Sequence, residues 1–347
     1  MKKRFSKSTT VSTLAYIAII ITALKLGSGI ILPFLMAFFL FIIFLPLANK
    51  LNQYRIPNVL TTLIIISIII IAMLLLGTFL ISSSNDIVKD IPTYQTKFNE
   101  LSPQIVAFFD QFNISLEKTN VINFIEPAKV LNYTTTFFKG MGNIVVNIFL
   151  TLVLVMFLLF ESSTIFKKAF YFAKKDNQKD KLELFLKSIS RYFVLKTFTS
   201  LLTAVIIWVM LEYFDLQYAF LFAVLVFILN YIPSVGSIIA SFPPIFVAML
   251  QLNMMDTISI AIGYLIVNIF IGSFLDPKIM GRDLGLSTFI VFISMVIWGW
   301  IFGPFGMFLA VPLTIMIKIA SDNSEDYHWI SVILSDSVME KKAKYIK

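Results

Sequence analysis

"GWIFGPFGMFLAVPLTIMIK" (residues 299–318) is apolar enough to lie in a membrane, yet it holds three glycines and two prolines within fourteen positions. Proline removes a backbone donor and glycine admits non-helical backbone. In a bilayer, such backbone is tolerated only where protein or a water-filled cavity covers it. The same pattern recurs upstream in "LNYIPSVGSIIASFPP" (residues 229–244), where Asn230, Pro233, Ser234, Gly236 and Ser237 puncture the middle of an apolar run. Segments 216–251 and 286–320 are each about 35 residues, on the order of 50 Å if helical. That is too long for one span of a ~30 Å hydrocarbon core and too short for two.

The rest of the chain sets the class. It has 347 residues, is 58% hydrophobic with 36 Phe, and has a mean hydropathy of +0.88. This composition lies far outside soluble domains and predicts an all-α polytopic membrane protein. Six runs of about 20 apolar residues are expected as spans: 8–27, 30–48, 59–81, 140–160, 194–212 and 257–275. The first reads as a retained span, because it lacks a small-residue cleavage site. With no cysteine and one histidine, His328, thiolate chemistry, Cys-type or His-based zinc sites and a Ser-His triad are excluded. No GxxxxGK[ST] phosphate loop occurs. The expectation is therefore not an enzyme, with no cofactor beyond a coupling ion, Na+ or H+.

Two readings of the punctured segments compete: broken single spans, or re-entrant hairpins that turn back within the bilayer. Charge favours hairpins. With "MKKRFSK" inside, Lys50, Arg55 and the nine Lys and Arg from Lys167 to Lys196 also fall inside. Two hairpins then bring Lys278, Arg282 and the basic C-terminus to the same face. The net charge of +8 thus fits positive-inside bias rather than nucleic-acid binding. Five segments are expected: 1–81, N-terminal spans; 82–139, an extracytoplasmic amphipathic helical segment; 140–212, spans with a basic inner segment at 162–193; 213–320, the transport core; and 321–347, a cytoplasmic tail. In the outer segment, Ile87, Ile91, Tyr94, Phe98, Leu101, Ile105, Phe108 and Phe112 recur at helical spacing. Their seam fits either a helix lying on the membrane surface or packing between subunits, and Pro92 and Pro103 predict interruptions. The basic 162–193 segment is expected to rest on the anionic inner leaflet.

Candidate site residues are the interruptions. The turn at Asn230, Pro233, Ser234 and Gly236 frees carbonyls and amides for a ligand, or is simply a tight turn. Gly299, Gly303, Pro304 and Gly306 mark the second turn, where small residues also permit close helix packing. Two such segments in one half of the chain point to a transport site. Asn268 either lines a pathway or bonds a neighbouring helix. Asp276 precedes Pro277 and is either a helix stop or part of a cation site. Arg282 and Asp283 form a gate or a solvated pair. Lys25, Glu161 and Glu212 lie near span ends and read as interfacial.

The motifs "NYIPSVGSIIASFPP", "DPKIMGRDLGLSTFIVFISMVIWGW" and "FGPFGMFLAVPLTIMIK" resemble, in order and spacing, the autoinducer-2 exporter family of bacterial membrane proteins, also called PerM-type permeases. The specific likeness covers 230–318; the first two hundred residues share only the layout of segments. The resemblance implies export of a quorum-sensing furanone, or sodium/proton antiport as in other members. It further implies a homo-oligomer, with a pentamer expected, and a moving unit made from the hairpins. Three functions stand for testing: a secondary exporter in the cytoplasmic membrane whose turns at 230–237 and 299–306 bind a small solute; a sodium/proton antiporter using Asp276; and a non-transporting scaffold assembling through 82–139.

Overall fold

The computed structural model describes residues 7–110, 136, 149–172, 176–233, 235–276, 286–322 and 327–336. Among them every regular element is helical, as the apolar composition predicts. In chain order the helices are α1 (Lys7–Leu26), α2 (Ser28–Gln53), α3 (Asn58–Asp110), α4 (Phe149–Phe160), α5 (Ser162–Phe172) and α6 (Asp176–Tyr213). They continue as α7 (Ala219–Leu229), α8 (Gly236–Gln251), α9 (Met254–Asn268) with a π-helical extension Ile269–Leu275, α10 (Thr288–Phe302), α11 (Pro304–Phe308), α12 (Ala310–Asp322) and α13 (His328–Leu334). Four stretches are long and apolar enough to cross a membrane: 28–53, 58–90, 185–213 and 254–272. Leu74, Leu75 and Ile71 stay more than half exposed on α3, a face that lipid rather than water can cover.

Two expectations need correction. First, α3 runs unbroken through Pro92 and Pro103. Both prolines lie on its exposed face, so the carbonyls they release can be met by solvent. On the opposite face Ile87, Tyr94 and Phe98 are buried, and burying each such side chain contributes about 1.5–3 kcal/mol, enough to offset much of the ~3 kcal/mol cost of an internal proline. These three side chains of the seam are thus covered by this chain itself. Phe112 and the side chains of Ile91, Leu101, Ile105 and Phe108 fall outside the described residues. Second, the later part of the basic inner segment and the fifth span are one helix: α6 carries both, since no glycine or proline interrupts 176–213, while α5 carries the segment's first part.

The chain divides into two compact units. The first comprises Met1–Ile66, Phe149–Phe193 and Arg282–Lys347. In it α4 packs along α2, and α1 contacts α2 and α10. Phe39, Phe193 and Phe308 form a chain of ring contacts at 5.9 and 6.1 Å. The segment expected as a broken span or hairpin folds back on itself: α10 packs against α11 and α12, and α13 against α12. The second unit comprises Ser67–Ile148 and Val194–Gly281. Here too the interrupted segment folds back, with α7 against α8 and α8 against α9. Asn253 starts α9 by accepting the Asp256 amide at 2.9 Å while its own amide donates to the Asp256 carboxylate at 2.7 Å, which fills an otherwise orphan N-terminal donor.

Candidate functional site

In the second unit the turn between α7 and α8 is held by closely spaced backbone bonds. The amide of Ile232 donates to the Leu229 carbonyl at 2.8 Å and that of Val235 to the Pro233 carbonyl at 2.6 Å. Gly236 opens α8 so close to α7 that a β-carbon there would collide with the Leu229 carbonyl oxygen; only glycine permits that approach. The turn rests on a polar stripe of α6. Lys196, Thr199, Ser200 and Thr203 are all buried there, at the spacings that put side chains on one helical face. The Asn230 side chain, itself buried, donates to Ser200 Oγ at 3.1 Å. Next to it the Tyr231 and Thr197 hydroxyls share a 2.6 Å hydrogen bond.

The stripe carries a charge at one end. Lys196 Nζ donates to Asp276 Oδ2 at 2.8 Å, with side-chain exposures of only 6% and 15%. The other oxygen, Oδ1, is buried with no hydrogen-bond partner among the described residues. Asp276 comes directly after the π-helical turn, and its amide bonds to the Ile271 carbonyl five residues back. Such wide turns change the phase of a helix and so re-aim the side chains beyond them; Gly272 in the middle, with open space at its missing β-carbon, leaves room for this one. Sequence reasoning places Asp276 at a helix stop or in a cation site, and the structure adds its counter-charge. Asn268 lies half-buried at the start of the π-turn.

In the first unit the second turn is built by its glycines. Gly303 has φ +67° and ψ −151°, a region essentially reserved for glycine. Pro304 takes the first position of α11, where its missing N–H costs nothing. A β-carbon on Gly306 would collide with the Trp298 carbonyl oxygen, and one on Gly299 would sit 2.7 Å from Met307 Cγ. Lys25 reaches this turn: its ammonium donates to the Trp300 carbonyl at 2.7 Å and lies 3.7 Å from the centre of the indole ring. It thus caps the C-terminal end of α10, where a cation is favoured.

Ser234, Lys278, Arg282 and Asp283 lie outside the described residues. Sequence reasoning misses Lys196, Thr197 and Ser200, and reads Lys25 as merely interfacial. A signal exists: a lysine at the start of an apolar run, with Thr199, Ser200 and Thr203 three, four and seven positions on, writes a polar stripe at helical period.

Away from the turns, a polar cluster joins α3 to the start of α7. Tyr94 donates to Gln217 Oε1 at 2.7 Å, and Tyr218 to Asp90 Oδ2 at 2.6 Å. Tyr218 and Asp215 both adopt positive φ. Burial, reinforced by the Asp90 charge, pushes the Tyr94 phenol up to about 12. Burial and the bond to Asp90 raise Tyr218 as well.

Known proteins resemble this chain over nearly its whole length. The family description "AI-2E family transporter" matches residues 14–326. The AI-2 transport protein TqsA of Escherichia coli is 34% identical over 324 residues, covering 93% of this chain and 94% of that protein. A putative transport protein of Haemophilus influenzae is 32% identical over 97% of this chain and 99% of its own length. The putative transport protein YhhT of Escherichia coli is 30% identical over 92% of both.

Proposed function

The chain belongs to the AI-2E transporter family, and from that premise we propose that it is a secondary transporter of the bacterial cytoplasmic membrane exporting a small polar solute of the autoinducer-2 class by alternating access. One observation carries the reading. The α7–α8 turn presents a buried Asn230 to a polar stripe of α6, beside an ion pair whose carboxylate keeps one buried oxygen unpaired among the described residues. An ionisable pair buried against a membrane-spanning helix is a candidate pathway site, and a buried carboxylate oxygen without a hydrogen bond is costly to keep. In this reading both interrupted segments are re-entrant, both termini are cytoplasmic, and Asn230 with the freed backbone of the turn binds the solute. The subunits assemble as a homo-oligomer, a pentamer by family resemblance. The name of the Escherichia coli relative supports the solute class.

Asp276 supplies the coupling. A proton or Na+ at Oδ1 competes with Lys196 for the carboxylate, so solute movement is tied to exchange of that ion. An oxygen without a partner among the described residues favours this role over a plain helix stop, and it keeps sodium/proton antiport as the second reading. The scaffold reading loses ground, because Ile87, Tyr94 and Phe98 are spent inside the chain.

Both readings are tested in inverted vesicles from cells lacking other family members. Wild-type vesicles should accumulate autoinducer-2, and Asn230→Leu should lower uptake at least tenfold at equal protein level. Asp276→Asn should abolish any response to a Na+ or pH gradient. Accumulation equal to that of empty-vector vesicles would refute export; sodium-driven proton movement without furanone uptake would favour the antiporter.

A further inference from the structure

The base of the α10–α12 hairpin is tied by an element outside it. Its first leg begins after Ser287 and its second ends at Asp322. Helix α13, only seven residues long, packs on α12 and touches both ends. At its start His328 Nδ1 lies 3.3 Å from Asp322 Oδ1, and the same oxygen accepts from Ser331 Oγ at 3.0 Å. At its finish the Leu334 carbonyl accepts the Ser287 amide at 3.2 Å, and Leu286 pairs with Ser335 in an isolated antiparallel bridge. Ser287 is the N-cap of α10 and its side chain makes no capping bond. The helix therefore begins without the usual side-chain support, and α13 takes up the cap residue's own amide.

The contacts are of a kind that opens. One bridge is not a ladder, and the His328–Asp322 contact is about a third to a half exposed, at 43% and 32%. Hydrogen bonds reached by water are the first to yield in local unfolding; here the His328 contact is reached by water, while Ser331 behind it is buried. The hairpin itself is closed by tight glycine contacts at its turn, so its legs cannot part there. Splaying of the two legs at their base, by contrast, has to break the tie that α13 makes between them.

We propose that α13 is a releasable strap: closed, it pins the two legs of the α10–α12 hairpin to each other, and the base of the hairpin splays only when the Ser287–Leu334 and Asp322 contacts let go. The link to transport rests on the function proposed above; the opening itself does not.

The cysteine-free chain allows a direct test with Leu286→Cys/Ser335→Cys, because facing positions of an antiparallel bridge lie within disulfide reach. Full-length protein in nanodiscs is followed by hydrogen exchange, with and without oxidation. Amides 287–291 should exchange at least a hundredfold faster than amides 296–300, and the disulfide should slow them at least tenfold. The double variant His328→Ala/Ser331→Ala, which loosens the strap without touching the cross-linked positions, should speed their exchange at least tenfold. Autoinducer-2 uptake by vesicles should fall at least tenfold on oxidation and return on reduction with dithiothreitol. Exchange at 287–291 as slow as in the interior of α10 would overturn the strap. So would a cross-linked protein that transports at the reduced rate. If the reduced protein takes up no furanone, the transport reading fails while the exchange measurement still decides the opening.

Discussion

Separating Lys196 from Asp276 tests the centre of the site. At 2.8 Å, with 6% and 15% exposure, the pair is too buried for solvent screening to weaken it greatly. Lys196→Met keeps the length of the stem but leaves a carboxylate with neither oxygen bonded among the described residues. Removing one partner of a buried pair costs about 3–5 kcal/mol. At about 1.4 kcal/mol per tenfold, that is a hundred- to several-thousandfold shift toward the unfolded state. Asp276→Leu should cost a similar amount, because it leaves the buried ammonium without its partner. Lys196→Met/Asp276→Leu removes both charges and should recover to within about 1–2 kcal/mol of wild type, since apolar replacement of a buried pair is often close to neutral. Reversible unfolding in mixed micelles, read by the fluorescence of the four tryptophans, gives the three differences. Single losses below about 1 kcal/mol, or additivity within about 0.5 kcal/mol, would refute a buried, mutually dependent pair.

The turns and the α3 cluster yield further expected outcomes. Gly306→Ala should lower stability by about 3 kcal/mol or more, because the clash is with backbone and not with a flexible side chain. Gly303→Ala meets no atom but should lose about 1–3 kcal/mol from its positive φ alone; thermal unfolding in detergent measures both. Raising the Tyr94 pKa from 10 to about 12 favours the neutral phenol in the folded state. Its stabilising contribution is therefore complete below pH 10 and drains as pH climbs to 12, while the unfolded phenol ionises first. Tyr94→Phe should cost about 1 kcal/mol at neutral pH through the lost bond to Gln217, and should flatten the alkaline fall in stability between pH 10 and 12. An unchanged alkaline limb would refute the assignment.

The helical class and the positions of both turns are legible because glycine and proline in apolar sequence have few other uses. Gly303, Pro304 and Gly306 each do there what their backbone chemistry allows. Less legible is anything that depends on which helices meet. The seam Ile87, Tyr94, Phe98 announces an apolar face, but not that its partner belongs to the same chain. Pro92 and Pro103 mislead, since a proline on a wetted face leaves the helix standing when the other face is buried. Lys196 is lost among its basic neighbours because charge counting ignores helical phase. The π-turn before Asp276 has no residue signature beyond a permissive Gly272. The ties made by Lys25 and α13 join residues far apart in sequence, and no local pattern encodes them.

Helix α3 has one consequence beyond stability. Its Asp90 and Tyr94, one turn apart, both grip the segment that feeds α7, and all four partners belong to the second unit. The foot of the α7–α8 hairpin is thereby clamped to a long helix, while its tip is closed by the tight approach of Gly236 to Leu229. A hairpin fixed at its foot and shut at its tip is a stiff body that carries a displacement along its length instead of absorbing it.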